Sequence, residues 1–118
     1  MALEKFLKSV EPRDVITFVL FTATWCRRCQ PIKEAFAKSA ESNHDALIQF
    51  ILLDVDDDGE VVEYCSVNVL PTIQIWSQRS LLDEKVCDSI EVYDKTIRRF
   101  HAERLRCASD EMTCSEDF

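Results

Sequence analysis

The run VITFVLFTA, residues 15–23, limits the fold of this chain more than any other stretch. It is β-branched and aromatic, and it is apolar on both parities. As a strand it has no face to show to water, so it must lie inside a sheet covered on both sides. TWCRRCQP, residues 24–31, follows at once. Two cysteines three apart therefore stand where a buried strand turns into the next element.

The rest of the chain supplies the covering layers. Leu3, Phe6, Leu7 and Val10 recur at helical spacing over 2–10, and Glu11-Pro12-Arg13-Asp14 breaks that helix. Ile32, Phe36, Ala37 and Ala40 mark a helix over 26–42, with Pro31 tolerated in or near its first turn. ALIQFILLDV, residues 46–55, reads as a second strand. Asp56-Asp57-Asp58-Gly59 ends it and starts a short helix through Cys65. TIQIWS (72–77) and LLDEKVC (81–87) form a hairpin through Gln78-Arg79. Tyr93, Ile97, Phe100 and Leu105 face one side of a closing helix. Helix-linked early strands pair in parallel and the late hairpin adds antiparallel strands. The expected fold class is α/β, a mixed sheet flanked by helices on both faces. One domain is expected over 1–107, with 108–118 an acidic, solvated tail. Gly59 is the only glycine, so turns are expected on Asn, Asp, Ser and Pro.

Charge and composition remove whole classes of function. Lys and Arg number 14 against 22 Asp and Glu, a net charge of −8, so a nucleic-acid backbone is not an expected partner. The longest apolar runs fall far short of the roughly 20 residues that span a bilayer, so no membrane is expected either. MALEKFLKSVEP lacks the apolar core of a secretory signal. Six cysteines at irregular spacing then read mostly as free thiols in a reducing compartment, the cytoplasm first and an organelle such as the mitochondrion next.

The chemistry concentrates at Cys26 and Cys29. Spacing of i, i+3 brings both thiols to one face and lets them close a small disulfide ring. Cys26 at a helix N-terminus meets orphan N–H groups and the positive end of the dipole, which stabilise a thiolate. Cys29, deeper and less exposed, suits the resolving role. A zinc site needs four ligands. Cys65, Cys87, Cys107 and Cys114 contain no second CxxC, and His44 and His101 stand far apart. Two inert cysteines are the plainer alternative. The strand-to-turn position favours redox, with no metal and no organic cofactor.

FTATWCRRCQ, LLDVDDD and VLPTIQIW, at their mutual spacing, resemble the thioredoxin family, and the resemblance runs from about Asp14 to Cys107. It implies a thioredoxin fold and a thiol–disulfide oxidoreductase. Cys26 would be the nucleophile and Cys29 the resolving thiol. Trp25 would shield the turn. Leu70-Pro71-Thr72 would align the substrate backbone across a cis Leu70–Pro71 peptide. The implied partners are protein disulfides and an electron donor, either a reductase or a low-molecular-weight thiol, acting on a monomer. Cys65 matches a position where some relatives carry an extra regulatory cysteine, and Cys87 would border the groove of Cys26. Both are accessory-thiol candidates; the plainer reading is a buried core thiol for Cys65 and a passive groove wall for Cys87. Cys107 and Cys114 are read as more exposed thiols.

The departures from the family pattern are specific. Arg27-Arg28 replaces the usual Gly-Pro. Leu20 stands where a buried acid is usual, and Leu52 where a lysine is. Thr22 replaces a tryptophan, Glu34 a helix-kinking proline, and Arg79 and Cys87 two glycines. The usual first strand is missing or very short. Two cations beside Cys26 favour its thiolate and a less reducing potential than the family norm. They also put positive charge on the rim of an acidic protein, which favours acidic partner segments. Loss of the acid and the lysine motivates an alternative, a binding or adaptor module with a slow or vestigial CxxC. A third reading is an iron–sulfur-bridged dimer.

Overall fold

The computed structural model describes residues 1–102. The expected domain end at 107, the tail 108–118, Leu105, Cys107 and Cys114 lie outside the described residues. The elements are α1 (Leu3–Ser9), β1 (Ile16–Thr22), α2 (Cys29–Ser42), β2 (Ile48–Asp54), α3 (Gly59–Tyr64), β3 (Thr72–Ser77) and β4 (Ser80–Val86). A closing helix, α4, occupies residues 90–102.

The four strands form one sheet of order β2-β1-β3-β4. β1 is interior, as its two-sided apolar sequence demands, and every residue from Thr17 to Thr22 is buried. It pairs in parallel with β2 (Phe18 opposite Phe50, Leu20 opposite Leu52) and antiparallel with β3 (Phe18 opposite Ile75, Leu20 opposite Ile73). β4 closes the far edge, antiparallel to β3. This is the mixed, doubly covered sheet that the sequence order implies.

The pleat sorts β1 into two cores. Phe18 and Leu20 pack with Ile32 and Phe36 of α2 and with Tyr93 and Phe100 of α4. Val19 and Phe21 pack with Phe6, Val10 and Val61 from the α1 and α3 side. Each such side chain, fully buried, contributes about 1.5–3 kcal/mol before chain entropy is counted. Phe6 meets Trp76 edge-to-face at 5.5 Å, and Phe36 meets Phe50 in the same manner at 5.3 Å.

One buried amide is fully connected. The Gln74 Nε2 group donates to the Cys65 carbonyl at 3.0 Å and to Glu84 at 2.6 Å, and its Oε1 accepts from Trp76 Nε1 at 2.8 Å. The buried Thr17 hydroxyl, by contrast, has no partner among the described residues.

Asn43 and Asp45 build the turn before β2, through Asn43 Nδ2 to the Ile48 carbonyl and the Leu47 N–H to Asp45. The β3–β4 hairpin turns through Gln78 and Arg79 as expected, both left-handed at φ 54° and 59°, although neither is one of the usual turn residues. A two-residue hairpin needs this hand to follow the strand twist. The Arg79 N–H bond to the Val10 carbonyl, 2.9 Å, anchors it. No described helix is long and apolar enough to cross a membrane.

Candidate active site

The end of β1 is pinned before the cysteines begin. The Val55 N–H donates to the Thr22 carbonyl at 2.9 Å, and the Thr22 hydroxyl donates to the Leu53 carbonyl at 3.2 Å. The chain then tightens: the Cys26 N–H reaches the Ala23 carbonyl at 3.2 Å, and the Cys29 N–H reaches the Cys26 carbonyl at 3.3 Å. α2 therefore starts at Cys29, three residues later than the sequence reading placed it. Cys26 sits in the turn ahead of the helix, and the helical turn between the cysteines is retained. Pro31 is the third residue of α2, where an N–H has no helical partner to lose.

The two thiols differ in access. Cys29 is completely buried, and Cys26 is 8% exposed. Both pack with Ala23 against Val55 and Leu70. Burial, and next the contact with Cys26, push the Cys29 thiol up to about 11; a backbone hydrogen bond at Ala23 and the charge of Lys33 pull it the other way. Lys33 lies one helical turn beyond Cys29.

Facing this turn is the loop before β3. The Leu70–Pro71 peptide bond is cis. The Cys87 N–H holds the Pro71 carbonyl at 2.9 Å, and the Thr72 hydroxyl donates to the Val69 carbonyl at 2.5 Å. An open groove of about 640 Å³ runs between loop and turn. Trp25, Cys26, Arg27 and Arg28 form one bank, and the other is largely apolar, with Val62, Val67, Val69 and Leu70. Trp25 is 67% exposed, and its Nε1 donates to Asp56 at 3.0 Å. Arg27 and Arg28 are exposed.

The accessory thiols lie elsewhere. Cys87 does not line the groove, contrary to expectation; it is buried in the core beneath α2 and α4. Cys65 is buried in the opposite core. Burial pushes Cys65 up to about 12, with Glu84 adding to it, and Cys87 up to about 11, with Asp88 adding and a backbone hydrogen bond at Ile73 opposing. Leu20 is fully buried among apolar side chains, while its register neighbour Leu52 is 47% exposed. Neither can hold or pass a proton. No three His, Cys, Asp or Glu side chains among the described residues gather to hold a metal ion.

Two participants escaped the sequence reading. Lys33 was legible as the cation at i+4 from Cys29. Asp56 was not, because its bond to Trp25 joins residues 31 apart that only the fold brings together.

The thioredoxin family model matches residues 1–97 of the chain. The chain belongs to the thioredoxin family. That is a family of thiol–disulfide oxidoreductases, and its members act on disulfide substrates with a reductase as partner. The thioredoxin of Equus caballus is 32% identical over 97 residues, 82% of this chain and 89% of that one. The thioredoxin of Ictalurus punctatus is 34% identical over 71 residues, 60% of this chain and 66% of that one. Among solved structures, the thioredoxin of Malassezia sympodialis superposes with a TM-score of 0.75 at 20% identity, over 83% of this chain and 87% of that one. At that identity the likeness establishes the thioredoxin fold.

Proposed function

We propose that this protein exchanges electrons with protein disulfides through Cys26 and Cys29. The observation that carries the reading is the pairing of a near-surface Cys26 at the mouth of a groove with a fully buried Cys29 one turn behind it. The Cys26 thiolate attacks one sulfur of a substrate disulfide. A mixed disulfide forms, and the other substrate sulfur leaves as a thiolate that takes up a proton. Cys29 then loses its proton and attacks the Cys26 sulfur. The Cys26–Cys29 bond forms and the second substrate thiol is released. Two electrons pass to the substrate. A reductase or a low-molecular-weight thiol returns them with two protons.

Trp25 covers one side of the turn. Leu70, with Pro71 and Thr72 behind it, offers backbone to an extended substrate strand. Arg27 and Arg28 tune the site electrostatically. We place this activity in a reducing compartment, the cytoplasm or an organelle such as the mitochondrion, and assign it to a monomer.

A second reading, an adaptor with a slow CxxC, draws support from the same site. Leu20 and Leu52 supply no proton acceptor, and burial holds the Cys29 thiol up. A Cys29→Ser chain separates the two. Accumulation of mixed disulfides through Cys26 supports the oxidoreductase; noncovalent partners without them support the adaptor.

A further inference from the structure

Arg27 and Arg28 carry charge that the described chain does not neutralise. Both line the groove beside Cys26, and neither forms an ion pair among the described residues. This holds in a chain with 22 acids against 14 bases. Asp56, held beside Trp25 by the indole N–H, leaves one carboxylate near the two guanidinium groups. The opposite bank, from Val62 to Leu70, is largely apolar.

Resting on the oxidoreductase reading above, we infer that this groove selects disulfide-bearing segments that are apolar and extended, with an acidic side chain within one or two residues of the attacked cysteine. Arg27 and Arg28 are the residues that select them. An extended strand advances about 3.3 Å per residue, so a side chain one or two positions from the attacked sulfur falls within reach of a guanidinium anchored next to Cys26. Guanidinium binds carboxylate in a bidentate, charge-assisted manner. The net charge of −8 repels acidic partners from the rest of the surface. The attraction is therefore local to the reactive turn, where it orients as well as binds. A basic segment meets the reverse: attraction elsewhere and repulsion at Cys26.

The test uses three synthetic peptides of one apolar sequence with an internal disulfide, differing only in Asp, Asn or Lys beside the attacked cysteine. At low salt kcat/KM should fall in the order Asp, Asn, Lys, with Asp over Lys by about tenfold or more. The gap should close at high salt. Arg27→Gln with Arg28→Gln should bring the Asp/Lys ratio to near one, whatever the absolute rate. Equal wild-type rates for Asp and Lys peptides overturn the inference, as does a ratio that survives the double substitution. A second arm needs no turnover. Affinities of a Cys26→Ser, Cys29→Ser chain for serine versions of the peptides, read by NMR titration, should follow the same order. If the wild-type chain reduces none of the peptides, the oxidoreductase reading falls, and the affinity order alone decides the charge selection.

Discussion

Cys29 stands fully buried one turn behind Cys26, and after burial itself Cys26 is the largest cause of its retained proton. With that thiol at about 11, roughly one Cys29 in ten thousand is a thiolate at pH 7. Once Cys26 is tied into a mixed disulfide its share of that upward push is gone and burial remains, so the step in which Cys29 attacks should speed up as pH rises from 7 and level off below 11. Single-turnover quenching of a preformed Cys26 mixed disulfide measures this directly, and a flat profile would contradict it. Lys33 lowers the Cys29 value, so Lys33→Gln should slow resolution by about two- to fivefold at fixed pH.

Four buried groups keep their protons in the folded state: Cys29 and Cys87 at about 11, Cys65 and Tyr93 at about 12. Burial is the first cause in each, and each folded value lies above the unfolded one. Their stabilising contribution is therefore complete below the unfolded values, near 8.5 for thiols and 10 for tyrosine, and is lost as pH rises through 11 to 12. Urea midpoints should hold between pH 6 and 8 and fall steadily above pH 9. Cys65→Ala with Cys87→Ala should flatten that fall, at a cost in stability at neutral pH for the emptied space. An unchanged slope in the double variant would place the alkaline loss elsewhere.

Much of this was legible because burial forces the sequence to declare itself. β1 had to be interior, since neither of its faces tolerates water, and the helix–strand order dictated which strands run parallel. The place of Cys26 and Cys29 between β1 and α2, and the cis bond before Pro71, were legible from spacing together with the family resemblance. The start of α2 was not. Its N-cap is Arg28, already helical and without a capping side-chain bond, so no Ser, Thr, Asp or Asn marks the boundary. The location of Cys87 was hidden for another reason. The resemblance placed it by a family glycine, which has no side chain to show a direction; here the Cys87 backbone does reach the Pro71 carbonyl, but its thiol turns into the core beneath α2 and α4. The groove's apolar bank is drawn from residues between Val55 and Leu70 that lie in loops and on one short helix, where no sequence period announces a shared surface.

The unpartnered Thr17 hydroxyl points to a stabilising substitution. Its side chain is fully buried opposite Trp76 on the inner strand. An unsatisfied buried hydroxyl costs about 1–3 kcal/mol, and valine keeps the branched shape without it. Thr17→Val should raise stability by about 1 kcal/mol, read as a higher urea midpoint with an unchanged slope. Thr17→Ser keeps the hydroxyl and loses a methyl, so it should destabilise. A neutral or harmful valine would mean that the hydroxyl is satisfied by ordered water.

The hairpin carries a cost of a different kind, lodged in the backbone. Gln78 and Arg79 both occupy the left-handed region, where a β-carbon is disfavoured, and the Asn-Gly pair that suits such a turn is absent. Gln78→Asn with Arg79→Gly should therefore stabilise the fold, by roughly 1 kcal/mol after allowing for the greater chain entropy of glycine. Arg79 also approaches Glu11 at 3.5 Å, but both are half-exposed or more, and such pairs contribute little. The backbone bond from Arg79 to Val10 survives the exchange, so the turn keeps its anchor. Arg79→Ala separates the two effects, since it removes the ion pair but leaves the β-carbon. It should shift the thermal midpoint by less than Arg79→Gly. If alanine and glycine prove equal, backbone strain is not what the turn is storing.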